Sequence, residues 1–394
     1  MNSMEQAGAY ELDVYPKRGV VLVRGEGARV WDDTGREYID CAAGVGVASV
    51  GHCNPSVVAA VARQAGRLIT CPGTFDNDVR AKLCERLVGI APPALKRVFL
   101  CNSGAEALEA ALKLARLATG RTNFVCATRG FHGRTFGALS ATHNPKYRDA
   151  FEPLLPGFTF VPFNDRRRLE AAVTDRTAGV ILEIVQGEGG VHVGAAEFFA
   201  DLDAWCAERG VLLIIDEVQT GFCRTGKMFA SMHHNLRPDI LCLAKAIAGG
   251  LPMGAVLCGD AIPALRGKHG STFGGNPLCC AAALASIEYM QAERLDAQAA
   301  EKGAYLMNRL RGWLRDRSSD AVRDIRGLGL MIGLELRHRV QPVLKELLSH
   351  GIIALPAGST VLRLLPPLVI TPAELDAVAD GVTKVLHRIV PSRS

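Results

Sequence analysis

The sequence predicts an α/β fold built on a mostly parallel sheet, and three observations carry that prediction. Short apolar, β-rich runs alternate with longer helical patterns through the middle of the chain. Several of those runs are apolar at nearly every position, the mark of strands buried on both faces. The chain has 394 residues, 48% of them hydrophobic, enough for a large core and more than one domain.

Taken in order, "GARVWDDTGREYIDC" (Gly27–Cys41) has hairpin character, with Asp33, Thr34 and Gly35 at its turn. "RVFLCN" (Arg97–Asn102) reads as a strand running into a helix. Ser103 is its N-cap, Glu106 completes a capping box, and Gly120 follows its end. "NFVCAT", "AGVILEIV", "VLLIIDEV", "DILCLA" and "MGAVLCG" are further buried strands, and "EFFADLDAWCAERG" (Glu197–Gly210) is one helix between two of them. After Pro277 the pattern changes. An Ala-rich helical region leads to the strand "GLGLMIGLEL", a helix, the strands "GIIALP" and "TVLRLLPPLVI", and a last helix from about Ala373. The expected organisation is an N-terminal segment (1–50) packed with a smaller α+β domain (281–394), and a large domain (51–280) between them.

Charge and cysteine usage narrow the class. The net charge is +5 with both signs interspersed, and the cluster Arg166-Arg167-Arg168 reads as a solvated turn or helix start, so nothing marks a nucleic-acid surface. The 12 cysteines are scattered without a C-x-x-C pair, which argues against a zinc site or disulfide framework and suits a reducing cytosol. The start "MNSMEQAGAYELD" has neither the basic nor the apolar segment of a secretory signal. Residues 41–62 carry no charged side chain but are broken by "GHCNP", so they read as buried protein rather than a membrane span. A cytoplasmic enzyme is expected.

The chemistry-bearing residues are charged groups in unexpected places. "LCLAKAIAGG" (Leu241–Gly250) holds one charge, Lys245, among apolar and small residues. It either snorkels to the surface or is a desolvated, reactive amine able to form a Schiff base with a carbonyl. Asp216 ends the apolar run "VLLIID", where α/β sheets place ligand-handling groups. A metal ligand, a helix cap and a salt-bridge partner are its other readings. An Asp for a pyridine nitrogen and a Lys for an aldehyde are also the two groups that pyridoxal phosphate requires. "NSGAEA" (Asn102–Ala107) offers first-turn N–H groups to an anion, or is an ordinary helix cap. "GSTFGGNP" offers the hydroxyls of Ser271 and Thr272. In "RGFHGRT", Phe131 suits stacking on a flat ring and Arg134 a carboxylate, or the two are core and surface.

In this order and spacing, "NSGAEA", "FHGRT", "QGEGGV", "IIDEVQTGFCRTG", "LAKAIAGGLPMGA" and "GSTFGGNPL" resemble class III (subgroup II) aminotransferases of fold type I, which use pyridoxal phosphate. The resemblance runs from about residue 15 to the end. It is closest to acetylornithine aminotransferases and their lysine-pathway relatives, which act on acylated or carrier-linked lysine. It implies a large domain with a mostly parallel seven-stranded sheet plus a smaller α+β domain, and transfer of a terminal amino group to 2-oxoglutarate. By resemblance, Lys245 carries the cofactor and Asp216 pairs with its ring nitrogen. Gln219 lies near the ring oxygen, Phe131 stacks on the ring, and Ser103, Gly104 and Ala105 bind phosphate.

The family's pattern further implies a homodimer in which Thr272 reaches the neighbouring subunit's phosphate and Ser271 lies near the substrate. Arg134 and Arg363 hold substrate carboxylates, and Glu188 is the switch partner of Arg363, a pair that also reads as a static salt bridge. An acidic amino-group carrier protein is the macromolecular partner this implies. The chain departs from the pattern at Ile184 (proline in many relatives), at Ala248 (commonly glycine) and at Phe75, where ornithine-acting relatives have a tyrosine. The alternatives are an ornithine or 4-aminobutyrate aminotransferase, a fold-type-I racemase or decarboxylase, and a non-enzymatic cofactor-storage or scaffold protein.

Overall fold

The computed structural model describes residues 1–317 and 321–389. Its centre is a seven-stranded sheet in the order Leu95–Cys101, Gly254–Gly259, Ile240–Leu243, Leu212–Asp216, Thr177–Leu182, Asn123–Ala127, Phe158–Val161. All neighbours run parallel except Gly254–Gly259, which is antiparallel to both of its own. Every residue of Thr177–Leu182, Leu212–Asp216, Ile240–Leu243 and Gly254–Gly259 is buried, as a sheet covered on both faces requires.

The register of this sheet places the site. Asp216 pairs with Cys242, Leu182 with Ile215, Leu243 with Ala255 and Gly254 with Cys101. The ends of these strands therefore lie at one edge, and the residues that follow them emerge together. The helix Gly104–Thr119 starts at that edge. Ser103 caps it by accepting a hydrogen bond from Glu106 N at 3.2 Å, and Gly120, at φ 69°, closes it. Its Ala107, Leu108, Ala111 and Leu114 pack with Ile214, Ile240 and Val256 in one buried cluster.

Smaller sheets flank this centre. Val322–Leu328, Met331–Leu336, Val361–Leu364 and Leu355–Ala357 form an antiparallel four-stranded sheet. Leu22–Glu26, Arg29–Asp32 and Glu37–Asp40 form another, completed by Ile352–Ile353 running parallel to Glu37–Asp40. The first residues of the chain are thus stitched to its last third. The expected hairpin turn is present: Asp32 Oδ1 accepts from Thr34 N and Arg36 N, each at 3.0 Å.

Four local expectations fail for identifiable reasons. The helix expected over Glu197–Gly210 is two, Ala196–Phe199 and Leu202–Glu208. Asp201 sits at φ 51° between them, and Arg166 Nη1 donates to the carbonyls of Phe198 and Ala200 (3.4 and 2.9 Å). The strand expected over Gly327–Leu336 is the turn and second half of a hairpin. Gly329, at φ 57°, makes the turn, and an added Cβ would meet the backbone of Thr225 at 2.5 Å. "GIIALP" divides between two sheets, as Ile352–Ile353 and Leu355–Ala357. Glu106 reaches one residue further back than a capping box: its carboxylate accepts from Asn102 N and Asn102 Nδ2, at 2.9 and 3.0 Å. Among the described residues, no helix is long and apolar enough to cross a membrane.

Candidate active site

A cavity of about 390 Å³ opens at the strand-end edge. Ser103, Gly104, Ala105, Phe131, Glu183, Glu188, Asp216, Val218, Gln219 and Lys245 all line it. Lys245 follows Ile240–Leu243 by two residues and opens a single 3₁₀ turn at φ 47°, a left-handed conformation uncommon outside glycine. The next three residues are buried, which locks the backbone that aims the lysine. Burial lowers the pKa of its amine. Glu188 opposes the shift, the Arg363 charge adds to it, and Asp216 and Glu183 oppose it more weakly.

Asp216 is 4% exposed at the end of its strand. Its Oδ1 accepts from Val218 N at 3.0 Å, and its Oδ2 lies 2.7 Å from His132 Nδ1. His132 is buried, and burial would lower its pKa; the Asp216 hydrogen bond and charge, with Glu183 behind them, turn the net shift upward. Glu183 is buried as well and accepts from Phe131 N (3.3 Å) and Gly187 N (3.4 Å). Burial, with the charge of Asp216 adding to it, pushes the Glu183 carboxyl up to about 8 against an ordinary 4.5.

On the opposite side stands Arg363, 2% exposed on the strand Val361–Leu364. Its Nη2 meets Glu188 Oε1 at 2.6 Å and its Nη1 donates to Gln219 Oε1 at 3.0 Å. Its buried Nε has no hydrogen-bond partner among the described residues. A guanidinium this deep is retained where a carboxylate can meet it.

Five sequence-selected residues do not line this cavity: Arg363, just described, and Ser271, Thr272, Arg134 and Phe75. Ser271 Oγ accepts from Asn102 Nδ2 and Gly274 N, each at 3.0 Å. Ser271 and Thr272 line a second cavity of about 340 Å³, joined to the first through the shared Asn102. Arg134 is exposed and lies 4.3 Å over the Tyr147 ring, itself edge-on to Phe131 at 5.6 Å. Phe75, assigned to the donor's α-amino end, is 67% exposed and lines neither cavity. Within one protomer, then, neither Arg134 nor Phe75 lines the cavity that holds Lys245. His132, Glu183 and Tyr147 were not selected from the sequence.

The profile of the family described as aminotransferase class-III matches residues 13–386. The chain belongs to the class-III aminotransferases. It is 50% identical over 389 residues to a "[LysW]-aminoadipate semialdehyde transaminase" of Deinococcus radiodurans, covering 97% of this chain and 89% of that one. It is 46% identical over 378 residues to an acetylornithine aminotransferase of Methanosarcina acetivorans, covering 96% and 94%. Among solved structures it superposes on an ornithine aminotransferase from Toxoplasma gondii with a TM-score of 0.94 and 36% identity, covering 98% and 93%. An acetylornithine aminotransferase from Elizabethkingia anophelis gives a TM-score of 0.85 at 31% identity, covering 98% of each chain. Pyridoxal phosphate is the cofactor of this aminotransferase fold.

The cavity fits that cofactor on its own evidence. A desolvated amine, a buried carboxylate at a strand end and the N-terminus of a 16-residue helix face one space. Gly104, at the first helical position, lets that N-terminus come close, since an added Cβ would lie 2.7 Å from Val218 Cγ1. Phe131 and Val218 give the same space apolar walls.

Proposed function

We propose that this aminotransferase moves the terminal amino group of an Nα-acylated ornithine or lysine, or of a carrier-linked lysine, to 2-oxoglutarate. The single observation that supports this most is the Arg363–Glu188 contact at 2.6 Å, made by a Glu188 that lines the cavity. Two substrates must use one site in turn. An ornithine- or lysine-like donor brings a terminal nitrogen with no carboxylate beside it, and Glu188 then neutralises Arg363. Glutamate brings a carboxylate to the same place, and Glu188 must release the guanidinium to it. The unpartnered Arg363 Nε is a further donor for that carboxylate.

Pyridoxal phosphate supplies the aldehyde that accepts the amino group and a ring that withdraws electrons from the substrate carbon. The chain's residues do the rest. Lys245 Nζ holds the cofactor and, once released, takes the proton from the substrate carbon and returns it to the other side of the exchange. Asp216, aligned by His132 and Val218 N, holds the proton on the ring nitrogen. Of the residues lining the cavity, Phe131 would stack on the ring, Gln219 would lie near its oxygen, and the N–H groups of Gly104 and Ala105 with Ser103 would hold the phosphate.

Ser271 and Thr272 then serve a neighbouring subunit. The support is their separate cavity, the exposed Phe273 that lines it, and the exposed Ile69 and Phe75 of a segment joined to the same region through Leu278 N→Ile69 O (3.4 Å), apolar groups a partner would cover. Arg134, exposed above Tyr147, is placed to meet the far carboxylate of the donor or an acidic carrier. The names of the two relatives at 50% and 46% identity support the acylated and carrier-linked classes.

The test is glutamate formation from 2-oxoglutarate with acetylornithine, ornithine, acetyl-lysine and carrier-linked lysine as donors. The expected kcat/KM for the best acylated or carrier-linked donor is at least roughly tenfold above free ornithine. A free-ornithine preference would replace this reading with an ornithine aminotransferase.

A further inference from the structure

Glu188 sits on the glycine-rich turn of a short hairpin, Val185–Gln186 with His192–Val193, whose first residue Gly187 donates its N–H to Glu183 Oε1 at 3.4 Å. Gly187, Gly189 and Gly190 surround Glu188, Gly190 lies at φ 122°, and the turn's own Gly190 N→Gly187 O bond is 3.5 Å long. The turn's other end is gripped from the C-terminal antiparallel sheet. Arg326 Nε and Nη2 both donate to the Gly190 carbonyl, at 3.0 and 2.7 Å. The same guanidinium is neutralised through Nη1 by Glu335 (2.6 Å) and Asp324 (2.9 Å), so its fork is held in place from behind.

The register explains why one sheet reaches the turn twice. Arg326 is paired with Gly333, and Gly333 with Arg363. Residues directly opposite one another across antiparallel strands share a face. Arg326 and Arg363 therefore flank Gly333 on one rung. Gly333 has no side chain to fill the gap, and an added Cβ would lie 2.9 Å from Val191 Cβ. The turn settles there, with Arg363 on Glu188 and Arg326 on the carbonyl two residues later. Beside it, Arg129 Nη1 lies 2.7 Å from His192 Nε2.

We propose that Arg326 is the positioning residue of the Glu188–Arg363 switch. By fixing the Gly190 carbonyl it holds the turn's backbone, so that Glu188 leaves and rejoins Arg363 by side-chain rotation alone. This rests on the proposed exchange of Arg363 between Glu188 and a substrate carboxylate. Without the fork, the turn drifts, Glu188 covers Arg363 less of the time, and the site shifts toward glutamate at the expense of amine donors. The direction is that of losing Glu188 itself, reached without touching any group in the cavity.

The two half-reactions of the holoenzyme, followed separately by single-turnover spectroscopy, test this. The proteins are the wild type, Arg326→Ala, Arg326→Lys, Glu188→Ala and the double variant Arg326→Ala/Glu188→Ala. A two-donor bond from a charged group predicts that Arg326→Ala shifts the amine-donor to glutamate ratio of kcat/KM about tenfold toward glutamate. Arg326→Lys keeps the charge between Glu335 and Asp324 but loses the fork, so it folds and shifts the ratio the same way by less. In the Glu188→Ala background, Arg326→Ala leaves the ratio where Glu188→Ala put it. If Glu188→Ala shifts the ratio but neither Arg326 variant does, or if the double variant shifts it further, Arg326 does not act through Glu188 and the proposal falls alone. If Glu188→Ala slows both half-reactions equally, the exchange reading falls and takes this proposal with it.

Discussion

Two carboxylates in one cavity are held in opposite ways. Asp216 is 4% exposed, ends a strand inside a seven-stranded sheet, and is tied by both oxygens, to Val218 N and to His132. The Glu188 side chain is 23% exposed, sits on a glycine-rich turn, and meets Arg363 through one oxygen. A carboxylate that must hold one proton in place throughout a reaction belongs on a rigid element with its lone pairs satisfied. One that must come and go belongs where the cost of each position is small and comparable. The difference in backing predicts a difference in how each fails.

The largest loss should follow Asp216→Asn. The shape and the Val218 N contact survive, but the charge facing the ring nitrogen and the anion partner of His132 are gone. On the scale of removing one preorganised group from an active site, kcat should fall on the order of 10²–10³ in both half-reactions alike. A variant within a few-fold of wild type in single-turnover assays would show that this carboxylate is structural. Next is Arg363→Ala, which touches the mobile side of the comparison. The half-reaction with glutamate should lose about 30-fold or more, because a substrate carboxylate is left buried without its cation. The half-reaction with the amine donor should fall much less. Equal losses in the two would make Arg363–Glu188 a static salt bridge.

How far the sequence could be read follows the same division. Lys245, Asp216 and Glu188 line one cavity and Arg363 pairs with Glu188; Glu188 and Arg363 were indicated only by the family resemblance, whereas Lys245 and Asp216 stood out as charges inside or at the end of an apolar run. Glu183 carries that same signal inside "VILEIVQ" and was passed over as a strand residue, although the strand ends one residue earlier, at Leu182. His132 gave no such signal. It lies between Phe131 and Gly133 in a short motif, and only the fold brings it 2.7 Å from a carboxylate 84 positions away. Thr272 and Phe75 do not line the cavity that holds Lys245, and Phe75 is exposed, so nothing around them within this chain marks a role in it. The break in Glu197–Gly210 was illegible for a related reason: the groups that accommodate it are donors on Arg166, 32 and 34 residues distant.

The smallest expected effect concerns Glu183 and is read from stability rather than rate. Its carboxyl is pushed up to about 8 in the folded protein, against 4.5 ordinarily. Between those values the native state holds a proton that the unfolded chain has lost. Stability from this group is therefore complete below about 4.5 and is lost as pH rises to about 8. His132, raised, titrates with the same sign, and Lys245, lowered, with the opposite one, but both remain in a Glu183→Gln variant and largely cancel in a comparison. The glutamine is neutral at every pH and keeps an acceptor for Phe131 N and Gly187 N. Melting of the cofactor-free proteins should then show the wild type losing ground to Glu183→Gln between pH 5 and pH 8.5, by roughly a few degrees. The two curves should run parallel above about pH 9, where the wild-type carboxyl is ionised in both states. A gap that stays constant across the whole range would mean that Glu183 is already ionised at pH 5.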